Sequence, residues 1–133
     1  MTSTAQPLAE SVRAFFEIYV RTFDAIDGKG IAALYHAPCV TVRGDGSIHC
    51  LQSQAALQAF FQRVADTYYQ DGYRGSRFRD LEVVPIGARC ALASLEWDLL
   101  REDGTVLRRW RQSYNLVRVG EAWRILVSTF HLT

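Results

Sequence analysis

The stretch WDLLREDGTVLRRW, residues 97–110, holds side chains suited to acid–base work and to anion recognition. Folded about Asp103-Gly104, a strong hairpin signal, it sets Asp98 opposite Arg109 and Glu96 opposite Arg111 just beyond. Glu96 is a carboxylate able to take a proton, although pairing with Arg111 would weaken it as a base. Arg111 and Arg43 offer guanidinium forks that match a carboxylate or an enolate oxygen. The same charges read equally well as a solvated ladder on a strand, with Arg43 at a solvated strand end. Tyr19 is a core tyrosine or a hydroxyl donor in a pocket. Asp24 and Asp27 punctuate the end of a helix, or supply a carboxylate near a pocket mouth.

Other chemistry is poorly represented. His36, His49 and His131 show neither H-x-x-x-H nor H-x-H spacing, so no metal site is expected. There is no G-x-S-x-G, P-loop or dinucleotide fingerprint, so no cofactor is expected. Cys39, Cys50 and Cys90 are odd in number and lack C-x-x-C spacing, which reads as buried free thiols; Cys39 and Cys50 could also face each other across a short hairpin. A net charge of +1 with scattered arginines favours neither nucleic acid nor a membrane surface. No apolar run approaches the roughly 18 residues of a membrane helix. The first ten residues lack signal-peptide character, so a cytoplasmic location is expected. The 133 residues suit one domain, 1–133, with one core.

The elements that must position these groups follow from periodicity. Leu8, Val12, Phe15, Phe16, Tyr19, Val20 and Phe23 have helical spacing up to the break at Asp27-Gly28. KGIAALYH reads as a short second helix ended by Pro38. CVTVR and SIHC form a small hairpin around GDG. Ser53 caps a third helix whose buried face is Leu57, Phe60, Phe61, Val64 and Tyr68, ending at Asp71-Gly72. After that the chain is all strand, as a long meander turning at Gly87, Asp103-Gly104 and Gly120-Glu121. Segregated helices and strands make this an α+β chain, with helices over one face of a curved sheet.

Element order, length and the phrases FFEIYVRTFDAIDGKGIAALYHAPCVTV, RQSYNLVRVGEAWRI and STFHL resemble the nuclear transport factor 2-like superfamily. Its members include ketosteroid isomerases, scytalone dehydratase and SnoaL-like polyketide cyclases. The resemblance implies a cystatin-like cone. Three N-terminal helices would pack on the concave face of a curved, mixed, mostly antiparallel sheet, around a small-molecule pocket. Aligning YNLVR and WRI with the family points Trp110, Gln112, Tyr114 and Leu116 outward, and Arg109, Arg111, Ser113, Asn115 and Val117 inward. In the last strand Leu126, Ser128 and Phe130 fall inside, with Val127, Thr129 and His131 outside. Hairpin pairing then puts Leu95 and Trp97 outward and Ser94, Glu96 and Asp98 inward. Leu95, Trp97, Trp110 and Tyr114 would form a large exposed patch, hence a homodimer contact. The alternation read without the family gives the reverse, with the tryptophans in the core and the charges in solvent. A slip of one residue separates the two readings.

The resemblance also maps roles. Tyr19 lies sixteen residues before Tyr35, as in the isomerase pattern. The isomerase general base falls on Arg43, which cannot accept a proton, and the protonated aspartate falls on Asn115. The missing base argues against steroid-type isomerisation, so whether the protein is an enzyme stays open. The expected ligand site is Phe15, Tyr19, Phe23, Arg43, Arg111, Asn115, Ser128 and Phe130, with Tyr19, Glu96 and Asn115 as catalytic candidates. Three functions are compatible with this set. One is binding of a small organic ligand in an accessory role. Another is a lyase or isomerase, of the polyketide cyclase or dehydratase type, acting through an enolate. The third is a protein-interaction module.

Overall fold

The computed structural model describes residues 5–133. Helix α1 (Ala5–Asp24) buries Val12, Phe15, Phe16, Tyr19 and Phe23 along one stripe and exposes Arg13, Glu17 and Arg21 on the other. Asp27 caps the short α2 (Gly28–Ala32), its carboxylate accepting from Gly30 N at 3.0 Å. Gln62 joins this turn to α3 (Gln54–Gln70). Its Oε1 accepts from Gly28 N at 2.9 Å and its Nε2 donates to Ile26 O at 3.1 Å. The approach is close enough that a Cβ at residue 28 would meet Gln62 at 2.7 Å, so only glycine fits. Ser53 caps α3 through a bond from Ala56 N.

The strands are β1 (Tyr35–Val42), β2 (Ile48–Leu51), β3 (Gly75–Ile86), β4 (Cys90–Leu100), β5 (Val106–Val119) and β6 (Ala122–Phe130). They form one six-stranded sheet in the order β2-β1-β6-β5-β4-β3. Among the described residues, only β1 and β6 run parallel. Register shifts in four of the strand pairs bend the sheet into a half-cone over which the helices lie. This is the expected α+β, cystatin-like architecture. No helix among the described residues is long and apolar enough to cross a membrane. His36 and Pro38 stand in β1 rather than at the end of a second helix. The reason is tertiary: Leu34 O accepts from Ile125 N, and Tyr35 pairs with Ile125 of β6. Cys39, Cys50 and Cys90 are free, Cys39 buried and Cys50 exposed.

The predicted pairing of β4 with β5 is observed: Trp97 faces Trp110, Asp98 faces Arg109 and Glu96 faces Arg111. The predicted facing is inverted. Leu95, Trp97, Tyr114 and Leu116 are buried, as is Gln112, and Trp110 packs against the same core. Phe16 of α1 lies 5.0 Å from Tyr114 and 6.3 Å from Trp97, centroid to centroid. The family-based facing, and with it the outer patch of Leu95, Trp97, Trp110 and Tyr114 offered as a dimer contact, is therefore corrected. The physical reason is the pleat: rings that cover α1 cannot share a face with the charges that alternate with them. In β6, Ser128 and Phe130 do point inward; Leu126 is the extra residue of a bulge and is half-buried.

On the outer face, arginines close over one carboxylate. Asp98 is 0% exposed. Its Oδ1 accepts from Arg109 Nε at 2.6 Å, and its Oδ2 from Arg77 Nε at 3.0 Å and Arg109 Nη2 at 3.3 Å. Glu96 takes Arg79 at 2.7 Å, not the expected Arg111. Arg111 bonds Ser94 Oγ and Asp80 O instead. The hydrogen bond from Arg109 holds the Asp98 carboxyl below the usual aspartate range, against the opposing effect of burial.

Replacing Asp98 with alanine is expected to cost about 2 kcal/mol in chemical denaturation at neutral pH, since it removes charged hydrogen bonds but leaves arginines that can reach water. A carboxyl held low in the folded state contributes stability that is complete above its unfolded-state value, about 4, and is lost as pH falls further. The stability gap between the wild type and Asp98→Asn should therefore narrow below about pH 4; a gap independent of pH would contradict the arrangement.

Candidate functional site

The rings that α1 and the sheet turn toward each other do not fill the cone completely. They leave an inner cavity of about 30 Å³. Tyr19 and Phe23 of α1 and Phe61 and Tyr68 of α3 form its helical wall. Trp97, Leu99, Trp110, Gln112 and Tyr114 of β4 and β5 form its floor, with Ser76 of β3 at one side. Arg43, just past β1, and Phe130 of β6 stand at its mouth. Outside that mouth lies an open vestibule of about 550 Å³, which adds Gly44, Asp45, Arg108 and Arg109 to the shared Arg43, Tyr68, Trp110 and Phe130. The inner space has room for one or two water molecules but not for an organic molecule unless the rings at its mouth part.

The closure is aromatic. Trp110 and Phe130 stack in parallel, centroids 5.0 Å apart and planes 6° apart. The Arg43 guanidinium lies 4.7 Å over the Phe130 ring and 5.7 Å from the Phe60 centroid, and its Nη2 donates to Tyr68 OH at 3.1 Å. Arg108 and Arg109 in the vestibule have carboxylate partners, Asp71 at 2.6 Å and Asp98 at 2.6 Å. Arg43 has no carboxylate within 4 Å among the described residues.

Deeper in, the polar atoms pair among themselves. Tyr19 OH and Tyr35 OH are 2.8 Å apart, and Trp97 Nε1 donates to Tyr114 OH at 2.8 Å. Trp110 Nε1 donates to Gln112 Oε1 at 2.9 Å. Burial pushes the Tyr19 hydroxyl up to about 12, its hydrogen bond with Tyr35 opposing the rise, and burial also raises Tyr35 and Tyr114. These hydroxyls are protonated donors at neutral pH. Ser76 Oγ donates to Asp24 Oδ1 at 2.7 Å, and Tyr73 OH donates to the same oxygen. Asp24 is thus the carboxylate that adjoins the cavity, one hydroxyl removed from it.

Of the residues expected at the site, Tyr19, Phe23, Arg43 and Phe130 line the cavity. Phe15 is buried beside it without lining it, and Ser128 is spent on a 2.7 Å bond to Thr41 Oγ1. Glu96, Arg111 and Asn115 are corrected to the outer face, because each alternates with an inward residue: Trp97, Gln112 and Tyr114. That placement takes the catalytic candidates Glu96 and Asn115, and Arg111 as an anion-binding group, out of the cone. None of the histidines lines the cavity; His49 bonds Ser47 and His131 bonds Ser113. The lining residues outside the expected site are Phe61 and Tyr68 of α3, Ser76 of β3, and Trp97, Leu99, Trp110, Gln112 and Tyr114 of β4 and β5. For those on β4 and β5 the signal is the plain apolar alternation of the two strands, one residue out of phase with the family-based facing.

The family model described as NTF2-like protein (DUF6841) matches residues 9–133. Among solved structures, Aln2 from a Streptomyces species is 20% identical, with 98% of this chain and 93% of that chain covered and a TM-score of 0.77. A putative scytalone dehydratase from Novosphingobium aromaticivorans is 14% identical, covering 100% of this chain and 89% of that one, at a TM-score of 0.76. A domain of unknown function with a cystatin-like fold from Nostoc punctiforme is 21% identical, covering 97% and 78%, at a TM-score of 0.71. No curated protein matches the chain significantly in sequence.

A tyrosine whose pKa is raised on folding contributes stability that is complete below its unfolded value, about 10, and is lost as pH climbs through the folded value. In an ultraviolet titration, the phenolates of Tyr19, Tyr35 and Tyr114 should appear only together with loss of near-ultraviolet circular dichroism. Their ionisation at about pH 10 with the tertiary signal intact would show that they are not enclosed.

Proposed function

The chain belongs to the NTF2-like protein (DUF6841) family, and on that premise we propose that its cone binds a small aromatic organic acid. The acidic oxygen would sit at Arg43 and the apolar body among the aromatic rings. The observation that carries this reading is a guanidinium with no carboxylate partner among the described residues, held at the mouth of an aromatic-walled cavity by Tyr68 and Phe130. A planar fork of this kind recognises a carboxylate, a phenolate or an enolate. Ligand entry requires Trp110 and Phe130 to part, which merges the inner cavity with the vestibule. A binding or accessory role, rather than turnover, is favoured because no carboxylate or histidine lines the inner cavity.

One observation favours a second reading, a lyase or isomerase acting through an enolate. Ser76 faces the cavity while donating to Asp24, so Asp24 could accept a proton through the serine hydroxyl, with Arg43 steadying the enolate oxygen. The structurally similar Novosphingobium aromaticivorans protein, a putative scytalone dehydratase, is of this class. Turnover abolished in Asp24→Asn with ligand affinity retained would select this reading over simple binding.

Calorimetry with 2-naphthoate at neutral pH tests the main reading. Arg43→Gln is expected to weaken binding by about ten- to a hundredfold, the range of a charged hydrogen bond, and Arg43→Lys by less. Equal affinity in wild type and Arg43→Gln would overturn the proposal.

A further inference from the structure

We propose that Gln112 is the specificity-determining residue of the cone: a buried amide donor that selects ligands presenting a neutral acceptor oxygen, such as a ring ketone. The inference rests on the cone being a small-molecule site. It deepens that reading by naming a second polar contact and the group it takes.

Gln112 is 3% exposed and lines the inner cavity between Trp110 and Tyr114 on β5. Its Oε1 accepts from the Trp110 indole. An indole N–H can only donate, so the carbonyl end of the amide must face Trp110 and the NH2 end must face away. No hydrogen bond among the described residues uses that NH2 group. Yet among the described residues no fully enclosed side-chain polar atom is left unpaired. The amide nitrogen is therefore in contact with the space it lines, a donor aimed into the cavity.

The neighbouring polar oxygens each have a protein partner. Tyr19 pairs with Tyr35, Tyr114 accepts from Trp97, Ser76 donates to Asp24, and Tyr68 accepts from Arg43. Gln112 supplies the unpartnered N–H donor among them, beside the hydroxyl hydrogens that Tyr114 and Tyr68 keep while accepting. An apolar ligand would leave it unpaired in a dry site, which is costly. A ligand N–H would meet it donor to donor. A carbonyl oxygen satisfies it. Sites built around such a donor discriminate by what is left unpaired when the wrong ligand binds. Trp110 is then a positioning residue. Its N–H fixes which end of the amide the ligand meets, and its ring, stacked on Phe130, closes the mouth.

The test uses the full chain and two ligands of one shape, 1-indanone and indane, which differ by a carbonyl in place of a methylene. Indane is the more hydrophobic, so a pocket without a donor should favour it. The wild type is expected to bind 1-indanone about tenfold more tightly, the worth of one satisfied buried donor. Gln112→Leu should abolish or invert that preference, and Gln112→Glu should weaken the ketone selectively. Trp110→Phe keeps a ring against Phe130 but frees the amide to turn. It should narrow the ketone-to-hydrocarbon ratio, whatever it does to the two affinities in common, a readout that a purely structural role for Trp110 would not give. If Gln112→Leu does not fold, the Trp110→Phe ratio decides. A wild type indifferent to the carbonyl, or a preference that survives in both Gln112→Leu and Trp110→Phe, overturns the assignment. Should 2-naphthoate bind through Arg43 while 1-indanone shows no preference, Gln112 alone loses its role. Should neither bind, the small-molecule reading fails with it.

Discussion

Phe16 and Tyr19 of α1 lie against Trp97 and Tyr114, and the pleat of the sheet propagates that contact along two strands. Once those rings face the helix, Leu95, Leu99, Gln112 and Leu116 must also face in, and Glu96, Asp98, Arg109 and Arg111 must face out. The opposite choice would enclose arginines and carboxylates beneath α1, at a desolvation cost of several kcal/mol per ion. It would also leave two indoles in water. Packing and solvation therefore agree on one side, and the cone's wall of rings is the consequence.

The outer face shows how charge is accommodated once it is excluded from the cone. Asp98 is completely covered, yet its cover is three arginines whose own side chains are about half exposed. The carboxylate is desolvated but fully hydrogen-bonded, and the cations keep their access to water. Arg43 is the counterpoint. Aromatic faces and one phenol hold it at the mouth, with no carboxylate to neutralise it. A cation placed so keeps most of its capacity for an external anion, whereas Arg109 has already committed its own.

Much of the architecture was legible from periodicity and turn chemistry. Ser53 caps α3 as its position before an apolar helical stripe implies, and Asp103-Gly104 closes the hairpin in the expected register. Tyr19, Phe23, Arg43 and Phe130 were named for the pocket and do line it. Glu96, Arg111 and Asn115 were misplaced because an alignment one residue out of phase turns every strand residue over. His36 and Pro38 were misread because local sequence resembles a helix end, whereas β6 supplies the hydrogen bonds that make β1. The Ser76 link to Asp24 joins residues 52 apart and has no local signature.

Local chemistry in the chain determined where elements begin and end and which residues of a hairpin stand opposite one another, because caps, turns and registers depend on near neighbours. A two-residue period divides a strand into two faces, but it carries no label for the one that meets a helix distant in the chain. That decision came from packing α1 onto the meander. The same packing gathered into one cavity an arginine after β1, an amide on β5 and a serine on β3, which no spacing in the sequence brings together.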